Sequence, residues 1–154
     1  MDMIINLYAP MKSFPLPSDI RLVRALPFEA PQVVAFVKQN FSTDGGWSEE
    51  IKGPLHLNNP TIFLALRNKN IVGFCAYDAT AKGFLGPLGV LESERGHGIG
   101  AALCASALCA LKEDGYAYAI VGWVGPQEFY SKNFGAVALN NSFDQSVYSR
   151  MIKF

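Results

Sequence analysis

The stretch Val90-Leu91-Glu92-Ser93-Glu94-Arg95-Gly96-His97-Gly98-Ile99-Gly100-Ala101 decides how the rest of the chain is read. Apolar residues end a strand, a short charged loop turns, and a helix opens on glycines. Successive backbone N–H groups with no side chains in the way make a concavity for an anion, and the helix N-terminus adds the positive end of its dipole. A turn of this kind grips phosphate or pyrophosphate. Gly96-x-Gly98-x-x-Ala101 also satisfies the bare dinucleotide fingerprint. Its context opposes a nicotinamide site, because that fingerprint directly follows the first strand of a βαβ unit and an acid closes the next strand. Here four residues separate Leu91 from Gly96, and the next strand ends in Gly122-Trp123-Val124 with no acid. No Gly-Lys-Ser/Thr follows, so a P-loop is excluded.

Upstream, Thr61–Leu66 and Ile71–Tyr77 read as strands around the polar turn Arg67-Asn68-Lys69-Asn70, and Phe84–Leu91 as a third antiparallel strand. Downstream, Gly98–Glu113 is a helix apolar nearly all round, ended by Asp114-Gly115. Tyr118–Val124 is expected as a strand buried on both faces. Reached through a helix, it should run parallel to the strand before it. Gln127–Asn133 reads as a short helix, and Ala136–Leu139 and Val147–Ile152 as closing strands. On the N-terminal side, residues 1–17 form an arm ending at Pro15-Leu16-Pro17-Ser18. Ile20–Val23 then reads as a short strand and Pro27–Phe41 as a helix. Ser42-Thr43-Asp44-Gly45-Gly46 is a loop, and Ser48 is the expected N-cap of a short second helix stopped by Gly53-Pro54. The fold class is α/β of the α+β type: a mixed antiparallel/parallel twisted sheet with helices on both faces, in the order β-α-α-β-β-β-α-β-α-β-β.

The chain has 154 residues, of which 50% are hydrophobic and 17% charged. That length predicts a single domain over residues 1–154. The composition excludes a disordered chain, which needs low hydrophobicity and high net charge. Thirteen basic residues balance thirteen acidic ones. This argues against nucleic acid and against a polybasic membrane contact. The N-terminus lacks a basic segment before its short apolar run, and no stretch approaches the ~20 apolar residues of a membrane span. Cys75, Cys104 and Cys109 fall in apolar runs at no metal-like spacing, and with His56 and His97 they make no zinc site. They are expected as buried thiols in a reducing cytoplasm.

Arg95-x-x-Gly98-x-Gly100 at the start of a long helix resembles the acetyl-CoA pyrophosphate loop of the GCN5-related N-acetyltransferases (GNAT). About thirty residues on, Glu128-Phe129-Tyr130-Ser131-Lys132-Asn133-Phe134-Gly135-Ala136 is similar to that family's next signature, a short helix carrying a tyrosine and ending in an aromatic–glycine turn. The likeness spans nearly the whole chain. The stretches Asn6-Leu7-Tyr8, Cys75–Thr80, Phe84–Val90 and Gly125–Tyr130 resemble a bacterial subgroup of unassigned substrate.

The resemblance implies acetyl-CoA as co-substrate, with no metal, and transfer of its acetyl group to a primary amine of a small metabolite by direct attack. A protein N-terminus or lysine as acceptor, and a non-catalytic acyl-CoA-binding module, are the alternatives. Gly86-Pro87 interrupts its strand, since proline donates no ladder hydrogen bond. The resemblance implies that the pantetheine arm enters a gap there, with Leu88, Gly89 and Val90 against it. Arg95, Gly96, His97, Gly98, Ile99, Gly100 and Ala101 would carry the pyrophosphate, His97 through its backbone. Tyr130 is the catalytic candidate, a phenol able to donate to a leaving thiolate. Asp78, Glu92, Glu94 and Glu128 are the carboxylates expected near the site, with none distinguished as general base. Trp47, Glu50 and Asp78 are expected to shape the acceptor site. Val147, Tyr148, Met151, Ile152 and Phe154 would leave a sheet edge that pairing into a homodimer would protect.

Overall fold

The computed structural model describes residues 1–41, 46–140 and 142–152. The expected loop residues Ser42–Gly45, and Phe154 of the expected sheet edge, lie outside them. Seven strands form one sheet: β1 (Asp2–Asn6), β2 (Ile20–Arg24), β3 (Ile62–Arg67), β4 (Asn70–Tyr77), β5 (Phe84–Val90), β6 (Tyr118–Val121) and β7 (Val137–Leu139). Their spatial order is β2-β3-β4-β5-β6-β1-β7. Every neighbouring pair is antiparallel except β5 with β6, which the helical crossover makes parallel. The helices are α1 (Ala30–Asn40), the one-turn α2 (Trp47–Glu50) and α3 (Lys52–Leu55), α4 (Ile99–Glu113) and α5 (Gln127–Phe134).

Strand periodicity sorts the core into two layers, one on each face of the sheet. Along β3 and β4, Ile62, Leu64, Phe74 and Ala76 pack with Val33, Val37, Ile51 and Leu55 from α1, α2's exit and α3. The alternate residues Ala65, Cys75 and Tyr77 pack with Leu103, Cys104, Ala107, Leu108 and Leu111 from α4. The mixed sheet with helices on both faces is therefore the expected fold. The β3–β4 turn puts Asn68 and Lys69 at φ of 49° and 66°. Two successive positive φ values are what a two-residue hairpin loop needs.

Several elements differ from expectation. The arm is not only an arm: Asp2–Asn6 is β1, inserted between β6 and β7. Its apolar Met3 and Ile5 are each 2% exposed, and the run was too short to distinguish from a loose N-terminal segment on periodicity. Val147–Ile152 is not a strand. Val147–Arg150 is a 3-10 turn capped by Ser146, whose Oγ accepts from the Tyr148 N–H. The sheet edge on which pairing into a dimer rested is thus not built there, and β7 is the edge instead. The observed order begins with two strands and ends on β7. Gly46, not Ser48, caps α2, at φ of 93°. β6 stops at Val121, and Tyr118 is exposed and Ile120 half-buried, so it is not covered on both faces. Cys75 and Cys104 are buried, but Cys109 is exposed on the outer side of α4. Among the described residues no helix is long and apolar enough to cross a membrane.

Candidate functional site

The site begins where two strands part. β5 and β6 pair only at Phe84↔Ile120 and Leu85↔Val121. Immediately beyond, Gly86 takes φ of 109° and precedes Pro87, and the β4–β5 register shifts between Cys75 and Tyr77. Past this irregularity β5 continues with β4 alone, through Cys75↔Leu88, Phe74↔Gly89 and Gly73↔Val90. The Leu91 N–H donates to the Val72 carbonyl at 2.9 Å. Antiparallel hydrogen bonding alternates, so Gly89 exchanges its bonds with Phe74 while the Leu88 and Val90 peptides turn away from β4. They face the gap that β6 has left. Gly89 itself is required by crowding: a Cβ there would lie 2.7 Å from Phe41 and 2.8 Å from Phe74.

At the end of β5 a glycine turn leads into α4, at the position the sequence implies. Gly96 and Gly98 take φ of 83° and 80°, and Gly98 is the N-cap of α4. The first bond of that helix runs from the Ala102 N–H to the Gly98 carbonyl at 3.0 Å. The N–H groups of Ile99, Gly100 and Ala101 precede it and point out of the helix end. Ile99 and Ala101 bury their side chains in the core while their amides stay at this terminus. Arg95 is exposed, and its Nε donates to the Val90 carbonyl at 3.1 Å. That bond leaves the terminal guanidinium nitrogens at the loop. His97 is exposed, and its Nδ1 lies 3.3 Å from the Glu94 carbonyl.

The splayed strands open into a cleft of about 1080 Å³. Its walls come from the Gly86–Leu88 bend, the Val121–Pro126 segment after β6, α2, and the C-terminal 3-10 turn. The volume lies at the upper end for pockets that hold small molecules, about 300–1,000 Å³. Tyr130 lines it from α5, 7% exposed. Burial, and then the neighbouring Cys104 and Cys75 thiols, push its phenol well above the ordinary range. It is a neutral donor at physiological pH. Phe129 packs edge-on against Tyr130, ring centroids 5.0 Å apart, and fixes the ring.

Of the residues expected at the acceptor site, Trp47 and Glu50 line this cleft and Asp78 does not. Asp78 takes φ of 54° and its Oδ1 accepts from the Gly83 N–H at 2.7 Å, closing the β4–β5 turn. Glu92, Glu94 and Glu128 do not line it either. Glu94 is held by Arg67, whose guanidinium beside it keeps its carboxyl below the usual range.

Three contributors were not foreseen. Thr80, in the turn after β4, lines the cleft and donates to the Glu50 carboxylate. Tyr148 enters from the C-terminal turn, which read as a strand. Asp2, buried in β1, accepts from the Trp123 N–H at 2.9 Å and so holds the cleft wall, where Trp123 stands at φ of 49°. Nothing in the residues near Thr80 or Asp2 marks them. The aromatic residues after Asn140 were the one available signal for the C-terminal wall. Among the described residues no three of His, Cys, Asp and Glu are gathered as metal ligands.

Residues 25–139 match the family model described as the acetyltransferase (GNAT) family. Among solved structures, a GCN5-related N-acetyltransferase from Sphaerobacter thermophilus aligns at 22% identity and a TM-score of 0.70, over 88% of this chain and 47% of that one. A GCN5-related glucosamine N-acetyltransferase region of a fungal multi-domain GH3 β-N-acetylglucosaminidase aligns at 21% identity and a TM-score of 0.66, over 86% of this chain and 19% of that one. The chain therefore spans less than half the length of either. A GNAT-family acetyltransferase from Brucella melitensis, in complex with acetyl-CoA, aligns at 21% identity and a TM-score of 0.51, over 62% of this chain and 70% of that one. No curated protein matches the chain.

Proposed function

This chain belongs to the GNAT acetyltransferase family, and from that premise we propose that it transfers the acetyl group of acetyl-CoA to the primary amine of a small metabolite. The observation that carries the reading is the divergence of β5 from β6 after Leu85↔Val121, with the Leu88 and Val90 peptides facing the gap and the α4 terminus beyond it. A thioester arm laid in that gap would complete the ladder β6 leaves unfinished. Its pyrophosphate would meet the amides from Gly96 to Ala101 and the guanidinium of Arg95. Gly89 keeps the strand close-packed behind the arm.

The reaction divides among few groups. A backbone N–H of Leu88 or Val90 polarises the thioester carbonyl, a contribution typically worth ~2.7–4 kcal/mol per donor. The amine nitrogen forms the new C–N bond and the C–S bond breaks. An amine that arrives as ammonium first gives one proton to solvent; after the neutral nitrogen attacks, the sulfur leaves as a thiolate and takes a proton from Tyr130, and the proton released by the acylated nitrogen returns through solvent to the phenol. Trp47 and Glu50 border the acceptor end. The free thiols support a reducing, cytoplasmic setting, and the balanced charge supports a metabolite over nucleic acid.

Thermal shift and turnover test the reading together. Acetyl-CoA should raise the melting temperature, as binding to the folded state requires. An amine panel should then yield N-acetylated product. Stabilisation by NAD but not by CoA compounds would remove the assignment. Acetylation of peptides but of no small amine would move the acceptor to protein, and binding without turnover of either would leave an acyl-CoA-binding module.

A further inference from the structure

The acceptor end of the cleft is assembled from three elements remote in sequence. Glu50, half-buried at the end of α2, accepts a hydrogen bond from the Thr80 hydroxyl. Tyr148 comes in from the C-terminal turn and lies over Gly122, where any Cβ would overlap its ring. It packs edge-on against Trp123, ring centroids 5.3 Å apart. It lines the same end of the cleft as Thr80 and Glu50. Two acids line this end, but they differ in charge balance. Glu49 is paired with Lys52 at 2.8 Å, whereas among the described residues no basic side chain pairs with Glu50. A carboxylate part-withdrawn from water without a cation calls for one from the ligand. The surrounding wall is apolar and aromatic: Trp47, Pro87, Val124 and Met151 line it with Trp123. Arg150 also lines the cleft and is exposed, so a ligand carrying a second positive charge meets repulsion.

We propose that the acceptor is a primary monoamine on an apolar, ring-sized body, with its nitrogen seated among Glu50, Thr80 and Tyr148 and its body between Trp47 and Trp123, and that Tyr148 is a specificity-determining residue. The proposal rests on the acetyl-transfer reading above and names the substrate class of that same site. A zwitterionic amino acid holds its carboxylate one carbon from the amine and so beside Glu50, and among the described residues no ion pair brings Arg150 to Glu50 to offset it; such an acceptor is disfavoured. A polyamine brings a second cation against Arg150 and cannot use the aromatic walls.

The test compares 2-phenylethylamine, L-phenylalanine and spermidine at saturating acetyl-CoA. The expected kcat/KM for phenylethylamine exceeds both others by at least about tenfold. A value for phenylalanine or spermidine equal to or above it overturns the substrate class. Tyr148→Phe, which keeps the ring over Gly122, is expected to raise KM for phenylethylamine about fivefold to tenfold while KM for acetyl-CoA stays unchanged. An unchanged amine KM in both Tyr148→Phe and Tyr148→Ala removes Tyr148 from the site, and an equal rise in both KM values makes its role structural and overturns it as well. If acetyl-CoA gives no thermal shift and no amine is acetylated, acetyl transfer itself fails and this proposal with it. If acetyl-CoA binds and a different acceptor class is acetylated, only the present proposal falls.

Discussion

Arg67 grips the Glu94 carboxylate with two guanidinium nitrogens, Nε at 3.3 Å and Nη2 at 2.8 Å, and also meets Asp19. The pair ties the end of β3 to the loop that leads into the glycine turn before α4. Because Arg67 keeps the Glu94 carboxyl below its ordinary range, the folded state prefers the ionised form. Its contribution is complete above the unfolded pKa, ~4.3, and is lost as pH falls through the lower folded value. The melting temperature in a pH series should be level down to about pH 5 and then fall. In Arg67→Met the part of that fall due to Glu94 should disappear; an acid limb identical to wild type would show that this pair does not hold the loop.

Gly98 combines a positive φ of 80° with a neighbouring Pro15 carbonyl 3.4 Å from where a Cβ would stand. Gly96 has the same backbone strain, φ of 83°, and open space. Alanine at either should cost about 1–2 kcal/mol from the left-handed conformation, or roughly 2–8 °C in melting temperature for a chain this long. Both variants should also weaken acetyl-CoA binding, measured by calorimetry, since the loop amides would be re-aimed. Equal affinity in all three proteins would take the turn out of the phosphate site.

Tyr130→Phe preserves the buried ring and its contact with Phe129 but removes the donor. The expected result is a fall in kcat of about 10²-fold or more, with acetyl-CoA affinity and melting temperature near wild type. Steady-state kinetics with a single-turnover control checks it. An unchanged kcat would remove Tyr130 as the acid.

Burial and the facing Glu50 carboxylate push the Tyr148 phenol up to about 12. A raised folded pKa means that this group stabilises the fold fully below ~10, the unfolded value, and loses that contribution as pH rises towards 12. An alkaline absorbance titration should show one tyrosinate forming near that pH, absent in Tyr148→Phe. If the tyrosinate that Tyr148→Phe removes is instead one that forms near pH ~10, the hydroxyl is in open solvent.

Ile5 is 2% exposed in β1, opposite Ala119 of β6. Ile5→Ala should therefore cost about 2–5 kcal/mol, as for any buried aliphatic truncation. An N-terminal arm outside the sheet would lose less than about 0.5 kcal/mol. Urea unfolding separates the two.

The order of strands and helices from Thr61 to Leu139 was legible because each element announces itself locally. Apolar runs separated by polar turns mark β3 to β5, the glycine turn and a largely apolar helix mark α4, and the Tyr130 helix ends in its glycine. The glycine turn before α4 was legible for the same reason, since it is contiguous in sequence. What failed was non-local. Five residues of β1 carry no period that separates a central strand from an arm, and only their partners at 118–121 and 137–139 decide it. The acceptor end draws on residues 2, 47–50, 80, 122–123 and 148, whose meeting is a property of the sheet order. Asp78 was drawn to the site by its place at a strand end, but the turn after β4 uses its carboxylate as an internal cap.

The insertion of β1 between β6 and β7 also fixes when the sheet can close. Its register joins residues 3–6 to residues 118–121 and residues 2–4 to residues 137–139. A chain emerging from the ribosome therefore presents this strand more than a hundred residues before either of its partners. The β2–β5 meander can form in the interval, but Met3 and Ile5 must wait exposed until residues 118–139 have been made. Loop closure over more than a hundred residues is slow and leaves an apolar strand available to wrong partners. Completion of the sheet and construction of the cleft wall at Trp123, which hangs from Asp2, are one and the same late event.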